Sequence, residues 1–188
     1  MIGEPFDRRM LMDVARGRAA PDLVIAGGSL LNVLSGDVHA ANILIKGDRI
    51  AALQRPDALS FPDTPVIDAS GLTLTPGLID PHMHIESSSV TPAAFARIVT
   101  PRGVSTIVID PHEFGNVIGI DGIRTLLDAA RNLPLRVLLR VPPRVPEFPE
   151  ALETPGAVID RGGTETMLAW PEAVCLAGDV NPWIVLAQ

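Results

Sequence analysis

The chain has 188 residues, of which 47% are hydrophobic and 20% are charged, and its formal net charge is −7. This composition is sufficient to bury a core, and the length suits one domain or two small ones. The acidic balance argues against nucleic-acid binding, for which a basic patch is typical, and no run approaches the ~18 apolar residues of a membrane span. Because Cys175 is the single cysteine, a disulfide framework and a multi-cysteine zinc site are excluded, and we expect a reducing, cytoplasmic setting.

The N-terminal segment, residues 1–21, is predicted to form a basic amphipathic helix. Asp7 and Asp13 interrupt its apolar residues, whereas a signal peptide requires an unbroken apolar core before its cleavage site. We therefore interpret the segment as a helix that docks on the domain that follows.

Residues 22–75 contain short apolar runs separated by glycine and aspartate, which is typical of a small antiparallel sheet. A turn is predicted at Gly27-Gly28, and the proline-containing stretch 54–65 is predicted to be a loop. The predicted strands are residues 23–26, 30–34, 41–46 and 50–53.

From residue 76 onward, predicted strands alternate with predicted helices, which favours parallel β/α units. Four strands are too few for a closed parallel barrel, which has eight strands and about 250 residues. The segment is therefore either a small open sheet or the first part of a barrel. The strands are predicted at residues 78–85, 104–110, 135–141 and 173–177, and the helices at residues 91–99, 121–131 and 161–170.

The strongest chemical signal is the run Asp80-Pro81-His82-Met83-His84-Ile85-Glu86. Because strand side chains alternate between faces, the two histidines are predicted to share a face with Asp80 and Glu86. Two imidazoles at a strand end can bind one metal ion, with carboxylates completing the site. The alternative is a pair of partly exposed histidines with no ligand.

A second polar cluster, Asp110-Pro111-His112-Glu113, follows the next predicted strand. The carboxyl ends of parallel strands lie at one rim, so this cluster is predicted to come near His82 and His84. The alternative is that Asp110 or His112 only begins the next loop or caps a helix. The residues alone leave the roles of Asp110, His112 and Glu113 open.

These motifs resemble a known family. The run TPGLIDPHMHIESS resembles the first-strand motif of the amidohydrolase superfamily. The segments IESSSVTPAAFA, GVSTIVIDPHEFGNVIGIDGIR and LETPGA resemble bacterial adenine deaminases in particular. The resemblance implies an α/β fold, with residues 22–75 as a partial β-sandwich and residues 76–188 as the N-terminal half of a (β/α)8 amidohydrolase barrel.

The resemblance also implies a metal-dependent hydrolase that converts adenine and water to hypoxanthine and ammonia. Manganese or iron is the metal expected, with zinc as a further option. The expected partner is adenine or a related purine base, with no nucleic acid or membrane, in a homo-oligomer. By this resemblance, His82 and His84 match metal ligands. Asp110 and Glu113 match catalytic positions. The positions that bind substrate or support the site are matched by four further residues, Glu86, Ser87, Ser88 and His112.

The sequence departs from the family pattern near its end. Gly178 stands where the family has a metal-bridging glutamate. The adjacent Asp179 could take the place of that glutamate only if the strand register shifted by one residue, and such a shift turns the side chain to the other face of the sheet. The later strands, which supply two more histidines and an aspartate in the family, have no counterpart here. We therefore expect a truncated chain that is inactive alone and that self-associates through open strand edges.

Two alternatives remain open from the sequence. One is a non-catalytic remnant with weak metal binding through His82 and His84. The other is a different amidohydrolase, such as a hydantoinase-like cyclic amide hydrolase, which shares the HxH motif but not the Asp110–Glu113 motif.

Overall fold

A computed structural model of the chain describes residues 7–58, 60–148 and 152–178. The chain divides into two compact units, one ending at Pro76 and the other beginning at Gly77. None of the helices in these described residues combines the length and the apolar character that a membrane crossing requires.

The first unit consists of one helix and a five-stranded sheet. Helix α1 (Arg8–Ala15) is shorter than the predicted residues 1–21, and residues 1–6 lie outside the described part of the chain. Its Val14 is buried against Val24 and Leu44 of the sheet. The strands are β1 (Leu23–Leu31), β2 (Val38–Lys46), β3 (Arg49–Gln54), β4 (Val66–Asp68) and β5 (Thr73–Leu74).

The sheet differs from the prediction in two respects. Strands β1 to β3 are antiparallel as predicted, but β4 and β5 pair with β1 in parallel. These two strands are too short to show an alternating pattern in the sequence. The predicted turn at Gly27-Gly28 is wrong: β1 continues through it as a bulge, and Gly27 adopts a φ of +79°, which glycine reaches without steric cost.

The second unit is a four-stranded parallel sheet in the order β6-β7-β8-β9. This result confirms the predicted α/β class and the alternation of strands with helices. The strands are β6 (Leu78–Met83), β7 (Val104–Ile109), β8 (Arg136–Val141) and β9 (Ala173–Leu176). The helices are α2 (Pro92–Val99), α3 (His112–Ile118), α4 (Ile120–Ala129) and α5 (Arg161–Leu168).

The main core of this unit lies between the sheet and its helices. Alternate residues of the central strands, such as Ile107, Ile109 and Leu139, are fully or almost fully buried against helix residues that include Ile123 and Met167. Because side chains alternate along a strand, the residues between them, such as Val108 and Arg140, belong to the opposite face of the sheet. The alternation therefore places the apolar core on one face of the sheet and residues such as Arg140 on the other face.

Two local details differ from the sequence prediction and affect the site. Strand β6 ends at Met83 rather than at residue 85, and Glu86 begins a short 3-10 turn, so Glu86 does not follow the strand alternation. Helix α3 was not predicted, because it has only seven residues and contains a glycine. His112 is its first residue.

A charged network joins α4 to the segment that precedes β9. The Arg124 guanidinium donates to both carboxylate oxygens of Glu172, at 3.2 and 2.8 Å, and lies 4.7 Å from the Trp170 ring centroid. This hydrogen bonding lowers the pKa of the Glu172 carboxyl from its ordinary value of 4.5. The network therefore favours the folded state most when Glu172 is ionised.

We expect the free energy of unfolding to depend on Glu172 in acid. Because the folded pKa of Glu172 lies below its unfolded value, its contribution is complete above pH 4.5 and is lost as the pH falls through the folded pKa. Urea unfolding between neutral and acidic pH checks this: Glu172→Gln should be less stable near neutrality and should lose less stability on acidification.

The matched control is Glu165→Gln, which removes a carboxylate paired with Arg161 where both side chains are solvent-exposed. Exposed pairs contribute little to stability, so this variant should follow the parent chain at every pH. Equal acid sensitivity of the parent chain and Glu172→Gln would contradict the prediction.

Candidate metal centre

The candidate site lies where β6 and β7 end side by side. Met83 pairs with Ile109 in the parallel ladder, and the Asp110 backbone N–H donates to the Met83 carbonyl at 3.0 Å. This register brings the residues after β6 next to the residues after β7. The structure thereby brings together the two polar clusters that the sequence analysis singled out.

The two histidines of the HxH motif face each other through their ring nitrogens. His84 Nε2 lies 3.2 Å from His82 Nε2, and His84 Nδ1 lies 2.8 Å from Glu113 Oε2. If His84 Nδ1 bears the proton, it donates a hydrogen bond to Glu113. The lone pair of His84 Nε2 is then directed toward His82. A carboxylate that orients an imidazole in this way is the usual support of a metal-binding histidine.

Asp110 connects three side chains of the site. Its side chain is only 3% exposed, and its oxygens lie 3.3 Å from His112 Nδ1, 3.9 Å from His82 Nε2 and 3.6 Å from Arg140 Nη1. A buried carboxylate requires such partners, because an unpaired buried charge is costly. Asp110 therefore depends on surrounding cationic or hydrogen-bonding groups.

His112 lies among three carboxylates. Besides Asp110, its Nδ1 lies 3.5 Å from Glu147 Oε1, and its Nε2 lies 3.7 Å from Glu113 Oε2. The hydrogen bond to Asp110 outweighs burial and, together with Glu113 and Glu147, raises the pKa of His112 to about 9. In the metal-free chain the ring is therefore an imidazolium at neutral pH.

The Glu86 and Glu113 carboxyl groups are neighbours, and each affects the pKa of the other. Burial, together with the neighbouring Glu113, raises the pKa of Glu86 to about 7. Burial acts against ionisation of Glu113 too, but hydrogen bonding from Glu86, the backbone and His84 outweighs it and lowers the pKa of Glu113 to about 2. Both Glu86 carboxyl oxygens are buried beside the Glu113 carboxylate.

The two serines after Glu86 have different surroundings. The Ser87 hydroxyl donates to Glu113 Oε1 at 3.2 Å and so joins the site. The Ser88 hydroxyl donates to the backbone carbonyl of Ile85 instead. The structure thus brings Ser87, but not the Ser88 hydroxyl, to the carboxyl cluster; Asp179 lies outside the described residues.

The donor set suits a divalent metal ion. One ligand atom from each of His84, His112 and Glu113 lies within 4.8 Å of the others, and the His82 ring nitrogen adjoins that of His84. Imidazole nitrogens with carboxylate oxygens are ligands for zinc, manganese and iron. The residues present therefore fit such an ion, and binding through His112 would require loss of its proton.

Two site residues were missed by the sequence analysis. Arg140 of β8 lies beside Asp110 and donates to the Gly178 carbonyl at 3.4 Å. A charged residue in the middle of an apolar strand was the available signal for it. Glu147 lies in a proline-rich loop without periodicity, so only the tertiary structure places it near His112.

Comparison with known proteins identifies the class of the chain. The family model described as "Amidohydrolase family" matches residues 73–170, which include both polar motifs. The chain belongs to the amidohydrolase family. This membership agrees with the metal-ligand chemistry of the site, since the family is metal-dependent.

Within curated proteins, the chain is similar in sequence to adenine deaminases. The chain is 47% identical to "Adenine deaminase 2" of Rhizobium meliloti (strain 1021) over 174 residues, covering 93% of this chain and 29% of that protein. It is 42% identical to "Adenine deaminase" of Moorella thermoacetica over 172 residues, with 92% and 28% coverage. The chain thus spans less than a third of the length of these curated relatives.

Solved structures show the same fold at lower identity. A D-hydantoinase (dihydropyrimidinase) from Thermus sp. matches 78% of this chain and 31% of its own, with a TM-score of 0.54 and 20% identity. Atrazine chlorohydrolase TrzN from Arthrobacter aurescens TC1 matches 83% and 46%, with a TM-score of 0.59 and 16% identity. These matches confirm that the chain has the fold of part of an amidohydrolase barrel.

We expect His84→Ala to weaken zinc binding by the metal-free chain. Removal of a residue that merely orients a ligand costs ~10–100-fold in metal affinity, and loss of a ligand should cost at least as much. Competition with a chromogenic zinc chelator measures this affinity. His39→Ala is the matched control, because His39 is an exposed histidine in the other unit. An equal loss of zinc affinity in both variants would exclude His84 as a zinc ligand.

Proposed function

We propose that this chain forms the metal-binding part of an adenine-deaminase-type hydrolase. The observation that supports the proposal most is the convergence of the HxH motif with Asp110, His112 and Glu113, in a chain 42–48% identical to adenine deaminases over about nine-tenths of its length. The substrate proposed is adenine or a related purine base, and the products are the 6-oxo base and ammonia.

The proposed residue roles follow from the contacts. His82 and His84 bind a divalent metal, and Glu113 fixes the tautomer and orientation of His84. The family resemblance, rather than the contacts, favours manganese or iron as that metal. When bound, the metal supplies the Lewis acidity that makes a water molecule nucleophilic near neutral pH. Asp110 orients His112 and contacts Arg140, which neutralises part of its charge.

Deamination also requires a proton for the leaving nitrogen. We assign this transfer to Glu86, because its carboxyl oxygens are buried and adjoin the Glu113 carboxylate, and this burial together with Glu113 raises the pKa of Glu86 to about 7. Ser87, which donates to Glu113, supports that carboxylate in its ionised form. For Asp110 and Glu113, which the family resemblance assigns to catalytic positions, we propose orienting roles.

A second candidate function is hydrolysis of a cyclic amide. It is favoured by the structural likeness to a D-hydantoinase, which extends over 78% of the chain. That likeness supports only the fold, whereas the greater sequence identity is with adenine deaminases. Adenine deamination is therefore the proposal that we prefer.

We expect the 188-residue chain alone to release no ammonia from adenine with added Mn²⁺. The described residues bring together His82, His84 and His112 with carboxylates, whereas the resemblance implies two further histidines and an aspartate from later strands of the active family. Ammonia release should equal that of His82→Ala, measured by a coupled assay. Activity that disappears in His82→Ala would contradict the expected inactivity, and His82-dependent opening of a hydantoin would favour the second function.

We also expect the chain to self-associate. Leu78 and Ile79 on edge strand β6 are 60% and 64% exposed, and open edges with apolar residues are sites of intermolecular pairing. Light scattering after size exclusion should show assemblies that decrease in Ile79→Lys. The control Val158→Lys replaces another exposed apolar residue, outside any strand, and should not change the assembly; a monodisperse parent monomer would refute self-association.

A further inference from the structure

The loop between β8 and α5 reaches the candidate metal centre. We refer to its described residues, 142–148 and 152–160, as the proline-rich loop. Its Glu147 carboxylate lies 3.5 Å from His112 Nδ1, the ring nitrogen that also adjoins Asp110. The position of Glu147 therefore affects the imidazole that lies between the carboxylates of the site.

One carboxylate of this loop joins it to helix α3. Glu153 Oε1 accepts a hydrogen bond from Asn116 Nδ2 at 2.6 Å, and Glu153 Oε2 accepts one from the Phe148 backbone N–H at 3.0 Å. Asn116 lies one helical turn after His112, and Phe148 directly follows Glu147. Glu153 thus connects the helix that begins with His112 to the backbone that bears Glu147.

The main chain reinforces this connection. The Asn116 carbonyl accepts hydrogen bonds from the backbone N–H groups of Gly156 at 2.8 Å and Ala157 at 3.1 Å. A Cβ atom at Gly156 would lie 2.6 Å from the Val117 carbonyl oxygen, so the close approach requires glycine. Side chain and backbone of Asn116 together attach the proline-rich loop to α3.

The base of the loop is closed independently. Val145 and Ile159 exchange two backbone hydrogen bonds, at 3.0 and 2.8 Å, and both side chains are buried. Phe148 and Glu153 lie farther from this base along the chain. The base can therefore remain closed while the Asn116–Glu153 contact is altered, so that contact is separable from folding of the unit.

We propose that the Asn116–Glu153 pair is a positioning device that sets Glu147 against His112 and so fixes that imidazole beside the metal ligands. Ordering a long glutamate side chain costs conformational entropy, and a backbone already fixed at Phe148 reduces the part that Glu147 must lose. The importance of this device for metal binding rests on the proposed function, whereas the positioning itself is a property of the metal-free chain.

The test reverses the polarity of the pair. Asn116→Asp places two carboxylates against each other and breaks the contact. In Asn116→Asp/Glu153→Gln, an amide on residue 153 can donate to the carboxylate on residue 116, and its oxygen can still accept from the Phe148 N–H. The side-chain resonances of the four histidines are recorded by NMR at fixed pH on 15N-histidine-labelled, metal-free chain, with His39 as internal reference.

We expect the His112 resonances to shift in Asn116→Asp while those of His39 stay unchanged, and to return in the double variant. Zinc affinity should fall ~10-fold or more in the single variant and recover in the double variant. A contact that only stabilises the loop would leave the His112 resonances of a folded single variant unchanged.

Unchanged His112 resonances in a folded Asn116→Asp chain, or a folded double variant without recovery, would overturn the inference. If the single variant does not fold, the double variant decides alone by whether its His112 resonances match those of the parent. A parent chain that binds no zinc would refute the proposed function, while the metal-free NMR comparison would still decide the positioning role.

Discussion

The candidate site depends on one backbone constraint, the parallel pairing of β6 with β7. The Met83–Ile109 register and the hydrogen bond from the Asp110 N–H to the Met83 carbonyl bring two chain segments about thirty residues apart to the same sheet edge. The HxH motif meets Asp110 and Glu113 only because of this register. A slip by one residue would turn Asp110 to the other face and replace it with an apolar side chain.

The electrostatics of the site follow from that convergence. Glu86, Asp110, Glu113 and Glu147 lie near one another, and carboxylates that close cannot all remain ionised without compensating cations. The compensation comes from the raised pKa of Glu86, which keeps part of its population protonated near neutral pH, and from the His112 imidazolium and the Arg140 guanidinium. A divalent cation would supply the same compensation more strongly, which is why this donor set favours metal binding.

The fold by itself does not decide the reaction. The same partial barrel is found in a D-hydantoinase and in an atrazine chlorohydrolase, whose names describe different chemistry. The polar residues after β6 and β7, and Glu147 of the proline-rich loop, form the site. Their contacts with one another, rather than the sheet, therefore support the proposed deaminase chemistry.

Sequence alone determined the α/β class, most strands and helices and the two polar motifs, because hydrophobic periodicity and the HxH spacing are local patterns. It could not determine the bulge in β1 or the end of β6 before Glu86, since each depends on pairing with other strands, and it missed α3, which is too short for a helical period to show. A charge within an apolar strand marks Arg140 in the sequence, but its partner is not visible there, and Glu147 has no local signal at all. Only the tertiary structure brings Arg140 to Asp110 and Glu147 to His112, because each pair is separated by 30 or more residues of chain.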